Sequence, residues 1–166
     1  MKIAILSDSH DNAPNIEKAL EWINQNKIDQ IIHCGDLCAP SILAEILAPA
    51  FSGPIHLVFG NVEDRDLMPK VVKDFPNVKH YGDVGEIEID KKKIAFVHFP
   101  DKAKELARSG KYDFVFYGHT HKPWEEKFND CRLINPGTLA GLFNKATFAF
   151  CDTKTGLFEL KILEKM

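Results

Sequence analysis

A chain of 166 residues, 45% hydrophobic and 27% charged, has the make-up of a globular domain rather than of a disordered or fibrous chain. Its formal net charge of −3 at pH 7 argues against a grip on long nucleic acid, which needs Lys and Arg to neutralise several phosphates. No apolar stretch reaches the roughly 18 residues of a membrane span, so the expectation is one domain over residues 1–166 that buries its own core, is cytoplasmic and makes no use of a membrane.

Ile3-Ala4-Ile5-Leu6 reads as a first buried strand. No leader is expected ahead of it. It runs into Asp8 and His10; if the chain stays extended that far, the two side chains share a face. Asn12 caps a helix beginning near Pro14, since Asn favours the cap and Pro the first turn. Ile16, Leu20 and Ile23 fall on one face of it, with Ala19 and Trp22 beside them. Gln30-Ile31-Ile32 is the second strand and runs into His33-Cys34-Gly35-Asp36. Pro40-Ser41 opens a second helix carrying Ile42, Leu43, Ile46 and Leu47, closed by the Pro49 to Pro54 segment. His56-Leu57-Val58-Phe59 runs into Gly60-Asn61, and a third helix is expected over 65–75.

The second half is richer in strands. Residues 84–89 alternate apolar and acidic, and Lys91-Lys92-Lys93 reads as a solvated hairpin turn. Ile94-Ala95-Phe96-Val97 runs into His98, a helix over 101–109 stops at Gly110, and Phe114-Val115-Phe116-Tyr117 runs into Gly118-His119-Thr120-His121. Further strands are expected at 123–128, 131–134, 146–151 and 157–163, with a hairpin turn at Gly156. A βαβ half followed by a more antiparallel half predicts an α/β fold of two packed mixed sheets with helices outside. Cys34, Cys38, Cys131 and Cys151 lack CxxC spacing, so they are read as reduced packing residues.

The five strand ends carry the chemistry. In open α/β sheets function collects beyond the carboxyl ends of the strands. Seven oxygen and nitrogen donors (Asp8, His10, Asp36, Asn61, His98, His119 and His121) should therefore converge on one sheet edge. That is too many for one metal and suits two. Taken singly, most have plain explanations: a turn Asp and a surface His for Asp8 and His10, a turn for Gly60-Asn61, a core His for His98. The pair His119 and His121, two residues apart after a glycine at the end of an aromatic strand, is the hardest to explain by packing. The shared placement weighs more than any single residue. His33, His56 and His80 lie before or within strands and are read as structural.

These residues resemble the calcineurin-like metallophosphoesterase family. The matching pieces are Asp8-Ser9-His10, Gly35-Asp36, Gly60-Asn61 with Glu63, His98, and Gly118-His119-Thr120-His121, in the family's order over about residues 5–138. The Asn135-Pro136-Gly137-Thr138 turn is similar to one in its compact bacterial and archaeal phosphodiesterases, which lack a cap domain. The resemblance implies a four-layer αββα sandwich of two mixed sheets. It also implies a dinuclear centre: one metal on Asp8, His10, Asp36 and His121, a second on Asp36, Asn61, His98 and His119. Asp36, Asn61 and His119 are the candidate catalytic residues. Two positions depart from the pattern. Val62 stands where larger relatives have a His, so their leaving-group acid is absent and good leaving groups should react faster. Phe99-Pro100 follow His98 where a Gly is usual, which fits a reshaped loop with Phe99 on the pocket wall.

The implied reaction is hydrolysis of small phosphodiesters, or of phosphomonoesters. Two cations about 3.5–4 Å apart clamp the attacking and leaving oxygens of an in-line displacement, and a bridging hydroxide attacks phosphorus. Four histidines with carboxylate and amide ligands point to Mn, with Fe, Ni, Co or Zn as alternatives. A homodimer is allowed. The competing readings are a scaffold on the same fold, like the retromer subunit, which has lost metal ligands, and a nuclease, against which the acidic balance argues.

Overall fold

In the computed structural model, which describes residues 1–166, the apolar runs become strands of two mixed sheets. In the first sheet β1 (Lys2–Leu6), β2 (Gln30–His33), β3 (Ile55–Leu57) and β4 (Val78–His80) lie parallel and side by side. β10 (Thr147–Asp152) pairs antiparallel with the free side of β1, and β11 (Leu157–Ile162) with β10. The second sheet runs β5 (Val84–Ile89), β6 (Lys92–Val97), β7 (Phe114–Phe116), β9 (Cys131–Asn135) and β8 (Trp124–Phe128). Its inner strands β6, β7 and β9 are parallel and its two outer pairs antiparallel.

The two-residue period of a strand sorts side chains into layers. In β1, Ala4 and Leu6 face the first helices, where they pack with Ile16, Leu20, Ile23, Leu43 and Leu47. Ile3 and Ile5 face the other way and meet Ile94, Phe96, Phe114 and Phe116 between the sheets. On the far side Ala95, Val97, Val115 and Tyr117 pack on Ala103 and Ala107 of a helix. The layers are therefore helix, sheet, sheet, helix, the four-layer αββα sandwich expected. α1 (Ala13–Gln25) starts at Asn12, whose side chain accepts the Asn15 N–H at 3.2 Å. The last-layer helix runs Pro100–Arg108 with Pro100 at its first position.

Three details add to or differ from expectation. The second helix closes within the expected Pro49 to Pro54 segment, but it is not one regular helix: α2 (Pro40–Ile42) passes through a π turn (Leu43–Leu47) into α3 (Ala48–Ala50). The Ala48 N–H bonds to the Leu43 carbonyl, five residues back. That widened turn swings aside the carbonyl a proline ring would otherwise strike, so Pro49 is tolerated. The third helix starts later, as α4 (Met68–Val71), tightening to a 3-10 turn over Val72–Asp74. The Asp64 side chain takes the N–H groups of Asp66 and Leu67 at 3.0 and 2.8 Å, which holds that stretch in a side-chain turn. β4 was not foreseen, because three residues, Val78-Lys79-His80, are too short to show a period. The Pro100–Arg108 helix, α5, ends at Ser109 before Gly110, whose φ of 72° suits the residue after a helix.

His33, His56 and His80 each have a hydrogen-bond partner within the fold and stand outside the donor set. His33 is buried, with Nε2 at 3.0 Å from Ser9 Oγ; His56 sits between Tyr81 and Gln30 at 2.9 and 2.8 Å; His80 Nδ1 accepts the Gly82 N–H at 3.0 Å. Burial lowers all three, His33 to about 3 and His56 and His80 each to about 4. These imidazoles stay neutral in the fold while the unfolded chain protonates below about 6.5. Their contribution is complete above that pH and is lost as pH falls from 6.5 toward 4 and then 3. The slope approaches about 1.4 kcal/mol per pH unit for His33, and less for the half-exposed His56 and His80. Urea midpoints of the metal-free protein should therefore drop between pH 6.5 and 5; a flat profile over that window would show these imidazoles protonating in place.

Candidate metal centre

The loops after β1, β2, β3, β6 and β7 meet at one edge of the sandwich. Asp8, His10, Asp36, His119 and His121 all leave their strands in the left-handed region, with φ of 52°, 42°, 57°, 68° and 58°. Such residues cost about 1–3 kcal/mol each and persist only where the surroundings impose them. Here the Asp8 and His10 N–H groups donate to the Gly35 and Asp36 carbonyls, both at 3.0 Å, and the His119 N–H donates to the Asp8 carboxylate at 3.0 Å. The extended-strand explanation for Asp8 and His10 is thereby corrected: the strand stops at Leu6, and a left-handed loop turns both side chains inward.

All seven expected donors come together. His121 Nε2 lies 3.2 Å from Asp8 Oδ1 and 3.1 Å from His10 Nε2, and His10 Nε2 lies 3.7 Å from Asp36 Oδ2. On the other side, Asp36 Oδ2 is 3.4 Å from His98 Nε2, which is 3.0 Å from Asn61 Oδ1 and 3.3 Å from His119 Nδ1. Asn61 Oδ1 is also 3.0 Å from His119 Nδ1. The Asp8, Asp36 and His98 ligand atoms lie within 4.8 Å of one another, so Asp8 reaches toward the second group as well as the first.

These spacings fit cations. Donors about 2.0–2.1 Å from one ion stand roughly 3.0–3.4 Å apart. The hydrogen-bond logic agrees. His98 Nδ1 is 2.9 Å from the Cys34 carbonyl and can only donate there, so the neutral ring turns an Nε2 lone pair toward Asn61 Oδ1 and Asp36 Oδ2. Three acceptors face one point, which calls for a positive charge. Without an ion, a proton on His98 supplies that charge: burial opposes charging the ring, but the hydrogen bond and charge of Asp36, then the charge of Asp8, outweigh it and raise the imidazole. Burial likewise pushes Asp36 up, yet His98 and the Asn61 N–H together hold its carboxyl below the usual range. Asp8, fully buried, is raised by desolvation. The His121 Nδ1 atom is buried without a partner.

The donors rest on a braced frame. Asp36 Oδ1 accepts the N–H groups of Asn61 and Val62 at 2.8 and 3.2 Å. The Glu63 carboxylate takes the Leu37 N–H at 3.0 Å and the Gly60 N–H at 2.6 Å, tying the two loops together. Asn135 Nδ2 donates to the Gly118 carbonyl at 2.8 Å and to Thr120 Oγ1 at 3.0 Å, steadying the His119-Thr120-His121 turn. Sequence reasoning did not find that support; an Asn before Pro-Gly reads as a turn residue. It also placed Cys38 as packing, whereas its Sγ lies half-buried at 3.6 Å from His10 Nδ1. Phe99 does stand over the site, its ring 5.1 Å from His98 and 4.9 Å from His119.

The sequence model of the calcineurin-like phosphoesterase superfamily domain matches residues 1–156. The chain belongs to that superfamily. It is thus a hydrolase of phosphoester bonds in a metal-dependent family. A phosphodiesterase of Methanocaldococcus jannaschii is 34% identical over 168 residues, spanning 99% of this chain and all of that one. A solved archaeal phosphodiesterase superposes with a TM-score of 0.90 at 31% identity, over 98% of this chain and 99% of the other. Vacuolar sorting protein 29 of Entamoeba histolytica, solved with zinc, superposes with a TM-score of 0.71 at 16% identity, over 97% of each chain, a likeness of fold alone. No helix of this phosphoesterase is long and apolar enough to cross a membrane.

Proposed function

We propose that residues 1–166 form one catalytic domain that hydrolyses small phosphodiesters, or phosphomonoesters, at a dinuclear centre in the cytoplasm. The observation that carries this reading is the set of lone pairs from His98, Asn61 and Asp36 aimed at one point beside a second set from Asp8, His10 and His121. The first ion would be held by Asp8, His10, Asp36 and His121, the second by Asp36, Asn61, His98 and His119. The mix of imidazole, carboxylate and amide favours Mn, and Fe, Ni, Co or Zn over Mg alone. Bound there, the ions would supply Lewis-acid charge and an activated water.

The chain's own residues do the rest. Asp36 spends one oxygen on the Asn61 and Val62 N–H groups and keeps the other between the two donor groups. That fixes the spacing of the site before substrate arrives. Asn61 offers a neutral oxygen, which limits the negative charge facing a phosphate. His119, exposed at the rim, adds an imidazole near the developing charge. Val62 offers no proton, so the leaving group departs without an acid from that position.

The test is a metal-stripped sample assayed with and without Mn against an aryl phosphodiester, then an aryl monoester, then single-stranded DNA. Turnover should appear with Mn, fastest on the diester, and vanish in chelator. Absence of metal-dependent turnover on all three would leave the scaffold reading in its place; preference for the DNA would leave the nuclease.

A further inference from the structure

We propose that Phe99 and Phe143 are specificity residues that receive the two organic arms of a phosphodiester, so that the site selects diesters carrying a planar aromatic group on each ester oxygen. This rests on the phosphoesterase reading above and adds the substrate class. Phe143 is 96% exposed and sits at a φ of 63°. Each fact is unfavourable alone: water around a whole aromatic ring, and a left-handed backbone under a bulky side chain. Together on one residue they call for a role. The ring stands 6.3 Å from that of His121, tilted 31° to it.

Phe99 mirrors this beside the other donor group. It is 42% exposed, with its ring 4.9 Å from His119 and 5.1 Å from His98. Its backbone is held extended, φ −84° and ψ 136°, immediately ahead of Pro100, the first residue of α5. Neither ring belongs to any of the three apolar clusters that hold the fold together. Apolar side chains in water beside a charged centre are poor for stability and good for recognition. A phosphate seated between the donor groups sends two ester arms outward. With one ring beside each group, a diaryl ester can stack at both ends, whereas an aryl monoester gains at one and a dialkyl ester at neither.

The experiment uses the Mn-loaded protein, with diphenyl phosphate and dimethyl phosphate as ligands measured by calorimetry. Wild type should bind the diphenyl ester more tightly. In Phe143→Ala and in Phe99→Ala that affinity should fall about tenfold, the size of a lost stacking contact. Affinity for dimethyl phosphate and for Mn should stay within twofold, and Phe143→Tyr should restore the diphenyl affinity. Turnover of bis(4-nitrophenyl) phosphate and methyl 4-nitrophenyl phosphate separates the arms. The variant that lost the retained arm slows only the first ester, and the variant that lost the departing arm slows both. Equal losses on the diphenyl and dimethyl esters, or no loss, in a protein that still hydrolyses diesters would overturn this proposal and leave the phosphoesterase reading standing. A wild-type protein without metal-dependent hydrolysis would overturn that reading itself. If Phe143→Ala instead converts a dimer to a monomer with specificity unchanged, Phe143 is a contact between copies and the proposal is wrong.

Discussion

Asp36→Asn is expected to lower kcat/KM on an aryl phosphodiester about a thousandfold or more, equivalent to about 4 kcal/mol of lost transition-state stabilisation, while the protein stays folded. The asymmetry comes from the two carboxylate oxygens. Oδ1 is a structural acceptor for the Asn61 and Val62 N–H groups, and the carbonyl oxygen of an Asn side chain can take over that task. Oδ2 faces His98 Nε2 at 3.4 Å and His10 Nε2 at 3.7 Å, and there the substitution puts an NH2 group. A negatively charged oxygen shared by two donor groups becomes a neutral donor that can ligate neither. The backbone should not object: Asp36 sits at a φ of 57°, and Asn accepts the left-handed region as well as any residue but Gly. Circular dichroism should be unchanged, elemental analysis should show metal lost, and turnover should fall with it. Wild-type turnover from a folded Asp36→Asn protein would remove Asp36 from its shared position.

The parts of this molecule legible in the sequence are those written locally. Ile3 to Leu6, Ile94 to Val97 and Phe114 to Tyr117 announce their strands because strands buried on both faces need unbroken apolar runs. The donors are legible because each follows such a run within a few residues. The conformation that brings them together is not. Nothing in Asp8-Ser9-His10 signals two left-handed residues; that shape is imposed by carbonyls of Gly35 and Asp36, more than twenty positions away. The π turn at Leu43–Leu47 is similarly invisible, since its apolar spacing reads as ordinary helix. β4 exists because Val78 and His80 find register beside Ile55 and Leu57, a tertiary fact that three residues cannot encode alone. Phe143 carries no sequence signal either. Its exposure and strain emerge only when the loop after β9 closes over His121.

Gly60→Ala is expected to weaken both Mn affinity and turnover about a hundredfold, the upper range for damage to groups that orient metal ligands. A methyl placed on Gly60 would lie 2.0 Å from Asp36 Oδ1 and 2.5 Å from the Asp36 backbone nitrogen. A flexible side-chain end could yield, but this oxygen is held by two N–H groups and the nitrogen belongs to a loop fixed through Leu37 by Glu63. Gly60 cannot retreat easily, because its own N–H is bonded to the same Glu63 at 2.6 Å. The carboxylate must therefore give way, carrying Oδ2 off the line between His98 and His10. Stability should fall by about 1–3 kcal/mol, the usual cost of forcing extra atoms into a filled space. Gly82→Ala is the control: its φ of 75° strains any side chain, but nothing lies within 4 Å of the added methyl. Both variants should melt earlier, yet only Gly60→Ala should lose Mn in a calorimetric titration. Wild-type Mn affinity in Gly60→Ala would mean that Asp36 can be displaced without consequence, and the close approach of the two loops would then serve packing rather than the centre they surround.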